Sequence, residues 1–441
     1  MEIRDPVHGP IEVSHAEKQV IDHPLVQRLR RIRQLGFSEI TFPGATHTRF
    51  LHSIGAMHLA GLAFDAVSKD LGDFSADLLA KARSTVRLAA LLHDLGHAPM
   101  SHDGESLLPL GRELPAIPDI DTNKPVTHEQ MTWALILGAE LSGLIKEAFA
   151  SFGVEAKDVV SVLGADFIED SFEQGSISIL PVMRQLISGE LDVDRMDYLL
   201  RDSYFTGVTY GRFEKDWLLS HLGAHQVGDS LYLTLDASAI FAFEDFLLSR
   251  YHMFLMVYAH NKTQSYYRML HRFLASEEGS KLRLPADWAE FSKCDDEWLI
   301  RQLTCAKNPW AQRIIAKKPL QLVVEGFDDS ADALESVKAQ LLSALPSSVD
   351  WVTSGVEFSH HIPGAGSKSN LFIRSFRMGL PHLVTPVEQY SDLYARQAPK
   401  KRVVRIFCES YEAQTVAELI WDKLHKLLGK SQNYHNMAVH G

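Results

Sequence analysis

The strongest constraint on this chain lies at residues 88–102, Leu-Ala-Ala-Leu-Leu-His-Asp-Leu-Gly-His-Ala-Pro-Met-Ser-His. An apolar stretch at helical spacing runs directly into His93, Asp94, His97 and His102. Neutral imidazole together with carboxylate suits a catalytic divalent metal. His93 and Asp94 are adjacent, so on a helix they point about 100° apart, while His97 shares the face of His93. The His-Asp pair reaches one ion only if that ion lies beside the helix and other helices bring further ligands. The segment therefore predicts a metal centre inside a helical bundle. The dipeptide alone identifies nothing, because His102-Asp103 repeats it; its weight depends on what else the chain carries.

Three other segments supply that company. Thr46–Ser53 places Arg49 nearly one helical turn before His52, at a loop-to-helix junction. A cation would then stand beside a candidate ligand, where a phosphate would bind. Thr127-His128-Glu129-Gln130 opens another helix, and the imidazole of His128 titrates in the range needed for proton transfer near neutral pH. Leu191–Asp202 interleaves Asp192, Asp194, Asp197 and Asp202 with apolar Leu191, Met196, Leu199 and Leu200. At spacing i, i+4, i+7, Asp194, Tyr198 and Arg201 are expected on one face, with Asp192, Arg195 and Asp202 beside or opposite it. Charges woven between apolar positions need partners or a metal. Taken singly, each segment also reads as a capped helix start or a solvated charged face. The same plain reading covers the basic run Arg28, Arg30, Arg31 and Arg33, and the pair Arg250 and Lys262.

A chain of 441 residues is long enough for two domains or more. Its 46% hydrophobic and 23% charged residues fit a globular protein. No apolar run is expected to span a bilayer, and the first residues lack a signal-peptide core. Cys294, Cys305 and Cys408 form neither a disulfide framework nor a zinc-type pair, so a reducing, cytoplasmic compartment is expected. A formal charge of −12 argues against nucleic acid as the main partner. It leaves room for a small polyanion in a local basic pocket. Helical spacing covers Ser14–Leu35, Arg49–Lys69, Ala76–Leu95 and a run from Thr127, and helices continue to about 315. Leu231–Leu235 is the strongest strand candidate in that part, and residues 1–13 read as a short extended piece. After Lys317-Lys318-Pro319 the pattern changes to strands at Leu320–Val324, Val349–Phe358, Leu371–Phe376 and Val403–Phe407, with helices at Ala331–Ala344 and Ala413–Leu428. The expected fold is mainly α, a helical bundle over residues 1–315 followed by a smaller α+β domain over 316–441.

Together these motifs resemble the HD-domain phosphohydrolases, most closely the dNTP triphosphohydrolase branch that includes the vertebrate sterile-alpha-motif and HD-domain enzyme. The resemblance rests on Asp5-Pro6-Val7-His8-Gly9, Gln27-Arg28-Leu29-Arg30, Gln34-Leu35-Gly36, Phe42-Pro43-Gly44-Ala45, Arg49-Phe50, His52-Ser53, His93-Asp94-Leu95-Gly96-His97, Ser101-His102, Thr127-His128-Glu129-Gln130, Asp192-Val193-Asp194, Asp197-Tyr198 and Arg201-Asp202, in that order over roughly the first half of the chain. It implies an HD-domain helical bundle with metal ligands His52, His93, Asp94 and Asp194. It implies an acid–base group of His97, Glu105 and His128, with Glu105 standing where the branch carries Asp. Arg49, His102, Arg195, Tyr198 and Arg250 would hold phosphates, Arg195 replacing a Lys. Gln34, Leu35, Asp202 and Tyr258 would contact the sugar, and Asp22, Gln27 and Arg30 a nucleotide effector between subunits of a dimer or tetramer. The metal would be iron, manganese, magnesium, nickel, cobalt or zinc, because a His-and-carboxylate set does not select among them. The implied reaction is hydrolysis of a dNTP to deoxynucleoside and inorganic triphosphate. Two alternatives accompany it: another HD phosphohydrolase, such as a 5′-nucleotidase or cyclic-nucleotide phosphodiesterase, and a non-catalytic nucleotide sensor or single-strand nucleic-acid binder. Loss of a ligand would favour the last, and all four candidates are present.

Overall fold

Two short strands, β1 (Glu2–Asp5) and β2 (Gly9–Glu12), pair antiparallel at the start of the chain. The helical run expected over Ser14–Leu35 is broken. It forms α1 (His15–Ile21) and α2 (Pro24–Arg28), then a single 3-10 turn at Leu29–Arg31. Pro24 lacks the N–H that would continue α1, and its fixed φ suits the first position of a new helix. The computed structural model describes residues 1–114, 117–327, 329–343, 345–346, 348–356, 370–376, 378, 382–397, 401–428 and 437–439.

The centre of the molecule is α3 (Arg49–Val67), which is apolar nearly all round and buried along most of its length. With the following turn to Asp70 it is long and apolar enough to cross a membrane, contrary to the sequence expectation, yet 78% of its apolar window is buried inside the protein. A helix hydrophobic on every side is a core helix when other elements cover it. Against it pack α4 (Ala76–Leu92) and α6 (Val193–Thr206), and α5 (His128–Leu137) lies beyond the end of α4. Two glycines permit this closeness. A Cβ on Gly55 would lie 1.9 Å from Asp197 Oδ1, and one on Gly96 would lie 2.1 Å from the His128 carbonyl oxygen.

The regular part of α4 stops at Leu92, three residues short of expectation, with His93 as its C-cap. Asp94 to Gly96 then form a turn, so the His-Asp pair sits at a helix end. Thr127 caps α5 with a reciprocal Gln130 contact, the start read from the sequence. The chain continues through β3 (Leu222–Val227), β4 (Ser230–Asp236), α7 (Ile240–Met253), α8 (Asn261–Leu274) and α9 (Asp296–Cys305). The hairpin partner β3 was missed because Leu-Gly-Ala-His-Gln-Val shows little strand alternation.

After residue 316 come β5 (Gln321–Phe327), α10 (Asp329–Leu342), β6 (Asp350–Val356), β7 (Phe372–Ser375), β8 (Leu383–Pro386), β9 (Lys401–Cys408), α11 (Ala413–Leu428) and β10 (Met437–Val439). The last two residues of the expected strand Val349–Phe358 fall outside the described residues. Strands β10, β5, β9 and β6 form an antiparallel sheet in that order. Val323, Val324, Leu334, Val404, Ile406 and Ile420 make a small core there. Strand β7 does something else: it pairs parallel with β4, and Leu371 and Ile373 join the large core. The fold is thus mainly α with a smaller sheet-containing C-terminal region.

One ion pair ties the first helix to the central layer. Ser14 and Glu17 cap α1 reciprocally, and Glu17 Oε1 lies 2.5 Å from Arg87 Nε on α4. Burial alone would raise the Glu17 carboxyl; Arg87 outweighs it and holds the group below its usual 4.5. A depressed carboxyl contributes stability above its unfolded value, and that stability is lost as pH falls through the folded value. Glu17→Gln should therefore cost about 3 kcal/mol near neutral pH. Thermal melts of variant and wild type should converge as the pH is lowered well below the 4.5 reference.

Candidate metal centre and its cavity

Three helix ends converge. The first turn of α3 supplies His52, the C-cap of α4 and the following residue supply His93 and Asp94, and the first turn of α6 supplies Asp194. Asp192 caps α6 by accepting the Arg195 N–H at 2.8 Å, which fixes where Asp194 emerges. His52 Nε2 is 3.2 Å from His93 Nε2 and 2.9 Å from Asp194 Oδ1. Asp94 Oδ1 is 3.2 Å from His93 Nε2, and Asp94 Oδ2 is 3.8 Å from His52 Nε2.

The outward nitrogens of both rings fix their tautomers. His52 Nδ1 faces Asp197 Oδ2 at 2.7 Å, and His93 Nδ1 faces the Ala90 carbonyl at 2.8 Å. With Nδ1 donating in each ring, the two Nε2 lone pairs meet head on at 3.2 Å. A shared cation, a metal ion or a proton, relieves that contact. The surrounding carboxylates favour positive charge here. Burial disfavours protonated His52, yet hydrogen bonds to Asp194 and Asp197 overcome it and raise the imidazole to about 10. His93 moves in the same direction against the same burial, through Asp94 and Asp194. Two imidazoles and two carboxylates thus fit a divalent metal, and His52, His93 and Asp94 have ligand atoms all within 4.8 Å of one another.

Behind His52 stands a second layer that sequence reasoning did not assign. Asp197 is fully buried and takes His52 Nδ1, His8 Nε2 at 2.6 Å, and Arg201 through Nε at 2.9 Å and Nη2 at 2.8 Å. Arg201 Nη1 also donates to Asp5 Oδ2 at 2.7 Å. Burial penalises the Asp197 charge, but Arg201 holds the carboxyl well below its usual range. The expected face of Asp194, Tyr198 and Arg201 is corrected here. Arg201 turns into the core with Asp197, and Asp202 continues the open face. The cavity wall follows i, i+4, i+8, a stripe that drifts about 40° per step around a 3.6-residue helix, while Arg201 at i+7 lies towards Asp197. An acid four residues before an arginine, in a stretch that holds Met196, Leu199 and Leu200, was the available signal.

The cluster opens into a cavity of about 500 Å³ lined by Gln34, Leu35, Arg49, His52, His93, Asp94, His97, His102, His128, Asp194, Tyr198, Asp202 and Tyr258, among others. Arg49 Nη1 donates to Asp94 Oδ2 at 2.6 Å, and its Nε to Ser101 Oγ at 3.0 Å. His97 stacks on His128 with ring centres 4.1 Å apart, while His102 stands edge-on to both. Burial, with Arg49 beside it, keeps His97 well below the usual imidazole range, hence neutral. Glu105 accepts from His128 Nδ1 and lies 3.5 Å from His102 Nδ1. Asp202 is clamped between His47 Nε2 at 2.7 Å and the Tyr258 hydroxyl at 2.8 Å. Burial, with Asp202 beside it, raises the Tyr258 phenol well above 10, so it stays a donor.

Some expected residues are not brought to the cavity wall. Arg195 lies behind Tyr198, turned to Asp192 and the Gly189 carbonyl. Arg250 lies near Arg195 and Tyr198. Asp22, Gln27 and Arg30 sit on the outer side of α1 and α2: Asp22 pairs with Lys18, and Arg30 bonds Gln27 and covers the Phe50 ring at 3.6 Å.

Residues 49–202, the span holding all four ligands, match the HD-domain family. This segment is similar to an HD domain. The chain is 33% identical to the Bacillus subtilis protein YwfO over 264 residues, 59% of this chain and 52% of that one. It is 34% identical to the human deoxynucleoside triphosphate triphosphohydrolase SAMHD1 over 233 residues, 48% of this chain and 35% of that enzyme. The chain therefore spans about half, or less, of the length of these curated relatives. A solved structure of a hypothetical protein from Aquifex aeolicus superposes with TM-score 0.73 at 26% identity, covering 95% of this chain and 99% of that one.

The second layer generates a direct test. Outer carboxylates orient ligating imidazoles, and their loss lowers metal affinity roughly 10- to 100-fold. Asp197→Asn should weaken metal binding by about that factor in a chelator-competition titration, while Asp65→Asn, an exposed partner of Arg83, should leave it unchanged.

Proposed function

We propose that this protein is a metal-dependent phosphohydrolase that converts deoxynucleoside triphosphates to deoxynucleoside and inorganic triphosphate. The observation that carries this reading is that the four-ligand cluster, Arg49 and three imidazoles line one cavity. A triphosphate needs positive and N–H donor groups to offset its charge, and a bound divalent cation, Arg49 and the imidazoles of His102 and His128 would supply them on this wall. Similarity to SAMHD1 supports the same substrate class.

A divalent cation held by His52, His93, Asp94 and Asp194 would polarise a phosphoryl oxygen and favour ionisation of water. Arg49 and His102 bind phosphate oxygens, with Arg195 and Arg250 adding positive potential behind Tyr198. Asp202, held by His47 and Tyr258, is oriented towards the sugar, with Gln34 and Leu35 on the wall beside it. Water adds to the α-phosphorus as the bond to the 5′-oxygen breaks. His128 delivers the proton that the departing 5′-oxygen requires, and Glu105 stabilises the charged imidazole and fixes its ring. The stacked, neutral His97 keeps a second positive charge away from it.

Purified protein should release inorganic triphosphate and deoxynucleoside from at least one dNTP in the presence of a suitable divalent metal. His128→Ala should lower kcat by about 10²- to 10⁴-fold with metal content unchanged. Absence of triphosphate from every dNTP, tested singly and in mixtures across several metals, would falsify the reading. Release of a 5′-monophosphate would instead indicate another HD phosphohydrolase. Activation of a silent substrate by a second nucleotide would indicate an effector site, for which Asp22, Gln27 and Arg30 are our candidates.

A further inference from the structure

The cavity wall just beyond the His-Asp pair is strained, and the group that holds it comes from far along the chain. Met100 and Ser101 lie consecutively at φ 59° and 61°, in the left-handed region that favours glycine. Two non-glycine residues persist there only when their surroundings over-determine the backbone. Asp296, in the first turn of α9 and 6% exposed, provides the hold. Its Oδ1 accepts the Met100 N–H at 2.9 Å, and its Oδ2 accepts the Arg33 N–H at 2.9 Å. Ser101 Oγ donates to the Arg33 carbonyl at 3.2 Å and accepts from Arg49 Nε at 3.0 Å. Arg49 Nη1 ends the chain of contacts on Asp94 Oδ2 at 2.6 Å. On the other side of the same segment, the buried Arg28 donates to the carbonyls of His97 at 2.8 Å and Cys294 at 2.6 Å.

These contacts close on themselves. One carboxylate fixes both the strained turn and the strand-like residue Arg33, and the hydroxyl of the turn then bridges Arg33 to Arg49. We propose that Asp296 is a positioning residue for phosphate binding, setting Arg49 at the anion-facing wall through Met100, Ser101 and Arg33. The proposal rests on reading the cavity as a triphosphate site. An Asn at 296 keeps the size but offers an N–H where a backbone N–H must be accepted, so one of the two contacts is lost. The turn then relaxes and Arg49 loses its second anchor.

The experiment uses the full chain, with inorganic triphosphate as the probe. Asp296→Asn should raise amide exchange at Met100 and its neighbours and weaken triphosphate binding about tenfold, with metal content unchanged. In an Arg49→Ala background the same substitution should have almost no further effect on binding, because its influence passes through Arg49. Equal losses in both backgrounds would show a merely structural role and overturn the proposal, as would unaltered exchange at Met100. If Asp296→Asn does not fold, Ser101→Ala, which removes the bridging hydroxyl, should show the same non-additivity with Arg49→Ala, and additive losses there overturn the proposal. Wild-type protein that neither binds triphosphate nor hydrolyses any dNTP overturns the nucleotide reading itself. Amide exchange then still decides whether Asp296 sets the turn.

Discussion

The carboxylate of Asp197 is the point on which the rest of the structure depends. It is wholly buried, and a buried charge is tolerated only with close partners. Those partners come from separate parts of the chain: His8 from the turn after β1, His52 from α3, and Arg201 one turn along α6. Asp5 neutralises Arg201 in turn. One network therefore docks the N-terminal hairpin on the bundle, locks α3 against α6 and orients a ligand of the candidate metal centre. Gly55 makes the approach possible, since any side chain there would collide with Asp197 and Arg201. Stability and chemistry share these atoms, so the bundle and the metal site form a single construction.

The rest of the site repeats this logic: a group facing the cavity is held by a neighbouring side chain. Glu105 holds His128, His47 and Tyr258 hold Asp202, and Ser101 holds Arg49. His128, for one, keeps Nε2 for the cavity while Nδ1 is engaged. Such preorganisation lets polar groups in a partly dry cleft act without reorganising. Arg49 and the imidazoles of His97, His102 and His128 collect there among the carboxylates of Asp94, Asp194 and Asp202.

Much of the site was legible in sequence because its ligands lie at helix ends. Thr127 with Gln130 announces a helix start, and Gly96 after an apolar run announces a stop. His128 and His93 follow from those signals directly. The supporting layer was less legible. His8 sits in a turn among prolines and glycines, and nothing local marks it as the partner of an aspartate 189 residues away. Arg201 stands only about 20° from Asp194 around the helix, and its side chain turns into the core because the buried Asp197 lies on that side. The C-terminal strands were placed well by their β-branched runs. Their partners were not, since β7 pairs with β4 across more than a hundred residues and not with the strands of the C-terminal antiparallel sheet.

By itself the sequence determined the helical bundle, His93, Asp94 and His52 as candidate ligands and the presence of a cationic neighbour. All of these depend on periodicity and residue chemistry, which are local. Asp194 as the fourth ligand came from the family resemblance. Only the tertiary structure decided which nitrogen of each histidine faces the ion and which aspartate lies behind His52. It also decided that Arg195 turns away from the wall, and that a carboxylate from α9 holds the turn beside the metal centre. These are decided by which buried charges find partners and which backbone amides find acceptors. Such accounts close only when distant segments meet.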